Sequence, residues 1–263
     1  MKFLIEGGAF PEEEKQLIQV LTDMKIEFSI WNKEGRPPYL SADNHVFFYG
    51  SIHTALDLMR VGARFQIWLG HEFDYSYFGA HLDDMLNDDF LLIPYGVISK
   101  AYAENQNPNI HNKMFFRSNS GYKKLQGGVY TATGLIGEAN RVNLFKEDII
   151  VAAEVNEIEA EYRLVIRSSY DDKSGLWVNK IITSSQYGAD ICNALPQFIV
   201  AKIESDLDTC TYHPYPLWIL DVAKVEGEFY QLEANSINTS GLYACDIKAI
   251  IEEILKIEKE EIQ

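Results

Sequence analysis

The sequence predicts an α/β chain built in two parts, and three observations predict it. Over roughly the first hundred residues, apolar strand-like runs alternate with helix-like ones, as in an open α/β layer. After Lys100 comes a polar stretch, "AYAENQNPNIHNK", with Asn107-Pro108-Asn109 as a loop signal. Beyond it, short apolar runs bounded by turn residues dominate, which reads as antiparallel sheet. We therefore expect an N-terminal α/β part over 1–105 and a strand-rich part over 106–263.

The elements follow in order. "KFLIE" reads as a short buried strand. "PEEEKQLIQVLTDM" opens with Pro11 at a helix start, has three acids in its first turn, and gathers Leu17, Ile18 and Leu21 on one face. "KIEFSIW", "HVFFYGS" and "FQIWLG" read as strands, and "IHTALDLMRVG" as a helix. The pattern predicts a helix for "YFGAHLDDML" and extended chain for "FLLIPYGVI". The Gly50-Ser51 turn between strand and helix offers backbone N–H groups to an anion, although many α/β turns look alike. In the second part, "IIVAAEV", "EYRLVIRSS" and "LWVNKIITSSQY" read as strands, with "DDKSG" as a turn. "ALPQFIVAKIES" is amphipathic. The last helix carries Ile247, Ile250, Ile251, Ile254 and Leu255 in one stripe, with Asp246 as its N-cap.

Composition bounds the function. With 263 residues and 47% hydrophobic side chains, a folded chain with a sizeable core is expected. A formal charge of -16 argues against a nucleic-acid or anionic-membrane surface, while leaving room for local basic pockets. Three cysteines, Cys192, Cys210 and Cys245, form no CxxC pair and suggest no disulfide framework, so a reducing cytoplasm is expected. The opening "MKFLIEGGAF" is too short an apolar run for a signal peptide, and no stretch approaches a membrane-spanning length.

The stretch "WILDVAKVEGEFYQLEANS", Trp218 to Ser236, holds the chemistry. Two apolar runs around Glu226-Gly227-Glu228 read as a hairpin. A three-residue loop pairs Asp221 with Glu233 and puts Asn235 on their face; a two-residue loop sends Asp221 to the other face. The apolar pattern favours the first, since it collects Trp218, Leu220, Val222, Leu232 and Ala234 on one side. Two neighbouring carboxylates repel unless a cation lies between them, and hard oxygen donors suit magnesium. The plainer reading is a solvated acidic face.

Other candidates lie upstream. "FFRSNSGYKKLQGG" sets Arg117, Lys123 and Lys124 beside flexible glycines, which could close over phosphate; GxxxxGK[ST] is absent, and a β-turn with surface lysines is the plain alternative. Arg163 shares a strand face with Val165 and needs a partner such as Glu161 or a bound anion. His71 and His81 lack the spacing of a zinc site. Cys245 has no evident activating base, and "TYHPYPLW" reads as a packed aromatic loop.

Taken together these stretches resemble the ATP-grasp family, and within it the R2K clade, over roughly residues 110–250. "FFRSNSGYK" resembles the clade's strand with arginine and, six residues on, lysine (Arg117 and Lys123). "EYRLVI" resembles its second arginine strand (Arg163). "ILDVAKV" and "YQLEANSINTSGLYACD" resemble its metal-binding hairpin (Asp221, Glu233, Asn235). Ser118 stands where the clade has proline, and the long "SSYDDKSG" turn leaves the place of Lys180 open.

The resemblance implies a pre-ATP-grasp domain over 1–105, an ATP-grasp nucleotide-binding domain over 106–263, and ATP and magnesium as cofactors. It implies that Arg117, Lys123, Arg163 and Lys180 meet phosphates, with Arg117 and Arg163 catalytic. Val151 to Glu154 would hold adenine, through Ala153 and Glu154, and the Gly127-Gly128 loop would act as a lid. Asp221, Glu233 and Asn235 would hold the metal. The implied activity is ligation of a small-molecule or peptide carboxylate to an amine through an acyl-phosphate, in a chain free to form a homodimer. A non-catalytic ATP-binding protein of the same fold, or an acidic protein that binds a basic partner, are the alternatives.

Overall fold

The computed structural model describes residues 1–35, 37–38, 45–61, 65–104, 113–189, 191–192 and 195–262, without the side chains of 261 and 262. The boundary expected at 105 and the Asn107-Pro108-Asn109 loop lie outside these residues. Two compact units are present: Met1–Leu69 with Ala160–Val222 and Ala234–Gln263, and Gly70–Glu159 with Ala223–Glu233.

The first unit opens with a parallel sheet. Its strands are β1 (Lys2–Glu6), β2 (Phe28–Trp31), β3 (Val46–Tyr49) and β4 (Phe65–Gln66), in the order β2-β1-β3-β4. Helix α1 (Pro11–Asp23) starts at its proline and buries Leu17 and Leu21, the stripe read from the sequence. Helix α2 (Ile52–Arg60) is capped by Ser51, whose hydroxyl accepts from Thr54 N–H. The anion expected at the Gly50-Ser51 turn comes from the chain itself. Ser51 N–H donates to Glu6 Oε2 at 2.6 Å, its hydroxyl donates to the same carboxylate, and Lys33 Nζ lies 2.6 Å from Glu6 Oε1.

The second unit begins with a 3₁₀ turn at His71–Phe73 and a single helical turn, α3 (Tyr75–Phe78). The helix expected over "YFGAHLDDML" is thus corrected. It stops at Gly79, where a Cβ would lie 2.8 Å from the Tyr75 carbonyl. "FLLIPYGVI" is extended only as β5 (Leu91–Pro94), then turns into α4 (Tyr95–Ala103). Proline just ahead of a helix start is a favourable placement, and Tyr95 N–H and Gly96 N–H donate outward to Asp148 and Lys146 carbonyls. Strands β6 (Met114–Ser118), β7 (Gly128–Tyr130) and β8 (Ile149–Ala153) complete an antiparallel sheet ordered β5-β8-β6-β7. Helix α5 (Ala132–Arg141), capped by Thr131, packs Leu135 and Ala139 on a core with Phe116, Leu125, Ile150 and Ala152.

The remaining sheet contains β9 (Ala160–Asp171), β10 (Leu176–Gln186), β11 (Ile191–Cys192), β12 (Leu217–Val225) and β13 (Glu228–Ser236), ordered β11-β10-β9-β12-β13. Helix α6 (Gln197–Thr209) packs on β10, where Glu204 and Asp208 accept from the Ile181 and Asn179 N–H groups. Helix α7 (Ile247–Ile262) has Asp246 Oδ1 accepting from Ala249 N–H at 3.1 Å, the expected cap. Its Ile247, Ile250, Ile251, Ile254 and Ile257 join Phe3, Ile5, Leu17, Leu21, Val165, Leu217 and Ile219 in one core. Among the described residues no helix is long and apolar enough to cross a membrane.

Candidate functional site

Two charged clusters hold most of the residues singled out from the sequence, one in each unit. In the second unit, β6 carries Arg117, whose side chain is only 5% exposed. A buried guanidinium needs a counter-charge and filled donors. Its Nη1 donates to Glu233 Oε2, its Nε donates to the Ser118 carbonyl at 3.3 Å, and its Cζ lies 5.1 Å from the centre of the Tyr75 ring. Lys123 Nζ reaches the other oxygen of the same carboxylate, Glu233 Oε1, at 2.6 Å. One carboxylate therefore holds both the arginine and the lysine of "RSNSGYK".

Lys123 is brought there by a tight loop. Its φ is +51°, a left-handed value that a side chain adopts at a cost, and its N–H donates to the Ser120 carbonyl. Ser118, standing where the resemblance leads one to expect proline, closes the loop. Its N–H donates to the Leu125 carbonyl at 3.0 Å, and its hydroxyl accepts from Leu125 N–H at 2.7 Å. Proline could make neither bond. Gly121 N–H donates to Asp74 Oδ1, and a Cβ there would lie 2.9 Å from the Phe73 carbonyl oxygen.

Arg117 sits in register with Val151 of β8, and Phe115 with Ala153. The register of β5 ends at Ala152, so Ala153 and Glu154 lie past it. Residues Val155 to Glu159, with Val225 and Glu226, line a cavity of about 470 Å³. Gly128 belongs to edge strand β7, opposite Phe116, with Gly127 just before it. The glycines read as a free loop are thus half sheet. A Cβ at Gly128 would meet the Tyr130 ring at 2.9 Å.

In the first unit, Arg163 projects from β9 and is almost buried. Its carboxylate partner is Asp221. Arg163 Nε donates to Asp221 Oδ1 at 2.8 Å, and Nη2 to Asp221 Oδ2 at 2.7 Å, a bidentate fork. Nη1 donates to the Gly241 carbonyl at 2.5 Å, and Asn235 Nδ2 donates to Asp221 Oδ2 at 2.9 Å. The face shared by Arg163 and Val165 is as read, with Val165 in the core beside Leu217 and Ile219. Lys180 lies exposed on β10, in register with Arg167.

The hairpin turn differs from the favoured reading. It has two residues, Glu226 and Gly227, with φ of +51° and +83°, as a type I′ turn demands. Strict alternation from a two-residue turn would put Asp221 and Asn235 on opposite faces. Their side chains nevertheless meet, through a bond of 2.9 Å.

The donors Asp221, Glu233 and Asn235 are hard oxygens of the kind magnesium prefers. Each carboxylate is charge-paired with side-chain cations. Among the described residues no group of three or more His, Cys, Asp or Glu is placed to hold a metal. The donor set fits in kind, as two carboxylates and an amide rather than an acidic cluster.

The weaker candidates resolve into packing. His71 and His81 both contact the Tyr77 ring, and His81 Nδ1 bonds the Tyr77 carbonyl. Cys245 is buried, and burial pushes its thiol up to about 11. Tyr212 is buried edge-on against Trp218. The sequence gives no hint of Tyr75 beneath Arg117, or of Gly241 and Tyr243 against Arg163, because these meetings join distant parts of the chain.

No protein-family model matches the sequence, and no curated protein matches it. Solved structures do. The RimK domain protein ATP-grasp of Sphaerobacter thermophilus DSM 20745 aligns over 97% of this chain and 100% of its own, with TM-score 0.60 and 10% identity. D-Alanine-D-Alanine Ligase from Helicobacter pylori aligns over 97% and 98%, with TM-score 0.59 and 14% identity. N5-carboxyaminoimidazole synthase from Aspergillus clavatus, solved with ADP and 5-aminoimidazole ribonucleotide, aligns over 97% of this chain and 76% of its own, with TM-score 0.56 and 7% identity. At such identities the likeness is one of fold.

Proposed function

From the ATP-grasp fold shared with those structures, we propose that this chain is an ATP-dependent carboxylate–amine ligase of the R2K group, with a pre-grasp part over 1–105 and a nucleotide-binding part over 106–263. One observation carries the reading: the Glu233 carboxylate holds Arg117 and Lys123 together, two cations on one anion. That is an anion site poised to exchange partners. A polyphosphate takes the two cations, and the carboxylate is released for a metal.

In this reading Arg117 and Lys123 grip the phosphates, and Lys180 joins them. Ala153 and Glu154 offer backbone groups to adenine, and Gly127-Gly128 covers the phosphates. Arg163 meets the transferring phosphoryl group. Asp221, Glu233 and Asn235 would hold magnesium, which when bound neutralises phosphate charge. A substrate carboxylate oxygen attacks the γ-phosphorus, the bond to the ADP oxygen breaks, and an acyl-phosphate forms. The amine then attacks the acyl carbon, phosphate leaves, and the amine gives up a proton. The protein's work is alignment and charge neutralisation.

The test is calorimetry with Mg-ATP on the wild type and on Glu233→Ala, followed by ADP release with carboxylate and amine panels. Metal-dependent binding that weakens in the variant, with turnover lost, is expected. Absence of wild-type binding, or a wild-type rate in Glu233→Ala, overturns the reading. A second reading, a non-catalytic nucleotide-binding protein, draws on the internal charge pairing of both carboxylates. It expects binding without ADP release on any pair.

A further inference from the structure

We propose that Tyr243 is a positioning residue for Arg163: its ring fixes the orientation of the guanidinium that the ligase reading above brings to the phosphoryl group. The proposal rests on that reading for its catalytic consequence and on geometry alone for the positioning.

Arg163 donates twice to Asp221 and once to the Gly241 carbonyl. Tyr243 adds a contact of a different kind. Its ring centre lies 4.5 Å from Arg163 Cζ, a cation–π contact on the face of the fork. Tyr187 in turn meets the Tyr243 ring edge-on at 5.3 Å, which limits the ring's own swing.

The backbone shows that this placement is imposed. Tyr243 has φ +49°, a left-handed conformation that is a genuine outlier for a bulky side chain. Glycine or asparagine would sit there with little strain. The neighbours enforce it: Leu242 is 2% exposed, Cys245 is 4% exposed, Cys245 N–H donates to the Leu242 carbonyl, and Tyr243 N–H donates to Glu13 Oε1 at 3.4 Å. Tyr243 is 38% exposed, so burial returns only part of the strain. A cation–π contact at a part-exposed site returns less than a left-handed bulky residue costs. A left-handed bulky residue beside a group proposed for the chemistry is the pattern of a functional constraint.

The experiment compares Tyr243→Phe, Tyr243→Leu and Tyr243→Gly with the wild type. The Arg163 side-chain Nε–H resonance, assigned by its loss in Arg163→Lys, reports positioning without any turnover. Its exchange with solvent is expected to be slow in the wild type and Tyr243→Phe, and faster in Tyr243→Leu and Tyr243→Gly. Thermal melting of Tyr243→Gly is expected at or above the wild-type midpoint, because the strain is relieved. With a responsive acid and amine, kcat is expected to fall at least about tenfold in Tyr243→Leu and Tyr243→Gly, stay within about twofold in Tyr243→Phe, and leave the KM for ATP little changed. Wild-type exchange of the Arg163 Nε–H in Tyr243→Leu, or wild-type kcat in Tyr243→Gly, overturns the proposal. If no pair releases ADP, the ligase reading fails instead, and the resonance still decides whether the ring orders Arg163.

Discussion

Ser118 and Leu125 are joined twice, once in each direction. The Ser118 N–H donates to the Leu125 carbonyl at 3.0 Å, and the Leu125 N–H donates to the Ser118 hydroxyl at 2.7 Å. The residues between them form the loop that carries Lys123. Both ends are buried, with Ser118 at 4% and Leu125 at 1% exposure, so water does not replace a lost bond. Ser118→Ala leaves the Leu125 N–H without its acceptor and is expected to destabilise by about 1–3 kcal/mol. Ser118→Pro also removes the donor and is expected to cost more. Urea midpoints at unchanged slope measure both, and an alanine variant as stable as the wild type contradicts the claim.

The Arg163–Asp221 fork gives a second prediction. Removing one member of a buried pair strands the other charge, so Asp221→Ala is expected to destabilise by about 3–5 kcal/mol. Replacing both residues by apolar ones, as in Arg163→Met with Asp221→Leu, is expected to cost far less, because no charge remains buried. A double-mutant cycle from denaturation curves reads the coupling. A double variant as unstable as the sum of the singles means that the fork does not couple the two residues. Both variants are expected to abolish turnover.

Glu6 gives the pH dependence. Burial raises its pKa, but Lys33 and Ser51 outweigh burial and hold the carboxyl below its ordinary value of 4.5. A group depressed on folding contributes stability that is complete above its unfolded pKa and is lost as pH falls through the folded one. Wild type is therefore expected to exceed Glu6→Gln in melting temperature by the widest margin near about pH 7. The margin closes as pH drops below 4.5. A margin that widens on acidification contradicts the assignment of Glu6 as the internal anion at the start of α2.

What could be read from the sequence was mostly periodic and local. The Leu17–Leu21 face of α1 and the isoleucine stripe of α7 follow from helical spacing, and both lie in the core as read. Arg163 falls on the face of Val165 because strand alternation allows nothing else. Ala132–Arg141 forms a helix that the reading does not assign, since Gly134 and Gly137 weaken its helical signal although Thr131 caps it. The partners of the charged residues were harder. Arg117 and Glu233 are 116 positions apart, and Arg163 and Asp221 are 58 apart. Periodicity says which way a side chain points, not what the chain folds against it. The resemblance supplied the candidates; which acid holds which base comes only from the coordinates.

The hairpin turn supplies the last prediction. A type I′ turn needs left-handed backbone at both central positions, and here Glu226 fills the first and Gly227 the second. Glutamate has neither the freedom of glycine nor the short side chain by which asparagine tolerates that region. The favoured three-residue loop failed at this point, because "EGE" lacks the Asn-Gly or Asp-Gly signature that marks a two-residue turn. Glu226→Asn relieves the strain without touching the Gly227 N–H, which donates to Glu159 Oε1 at 3.0 Å. It is expected to stabilise by about 0.5–1 kcal/mol, while Glu226→Val, β-branched and costly at positive φ, is expected to destabilise. Paired chemical-denaturation curves decide it. If both variants move stability the same way, the left-handed conformation at Glu226 is not what limits the turn.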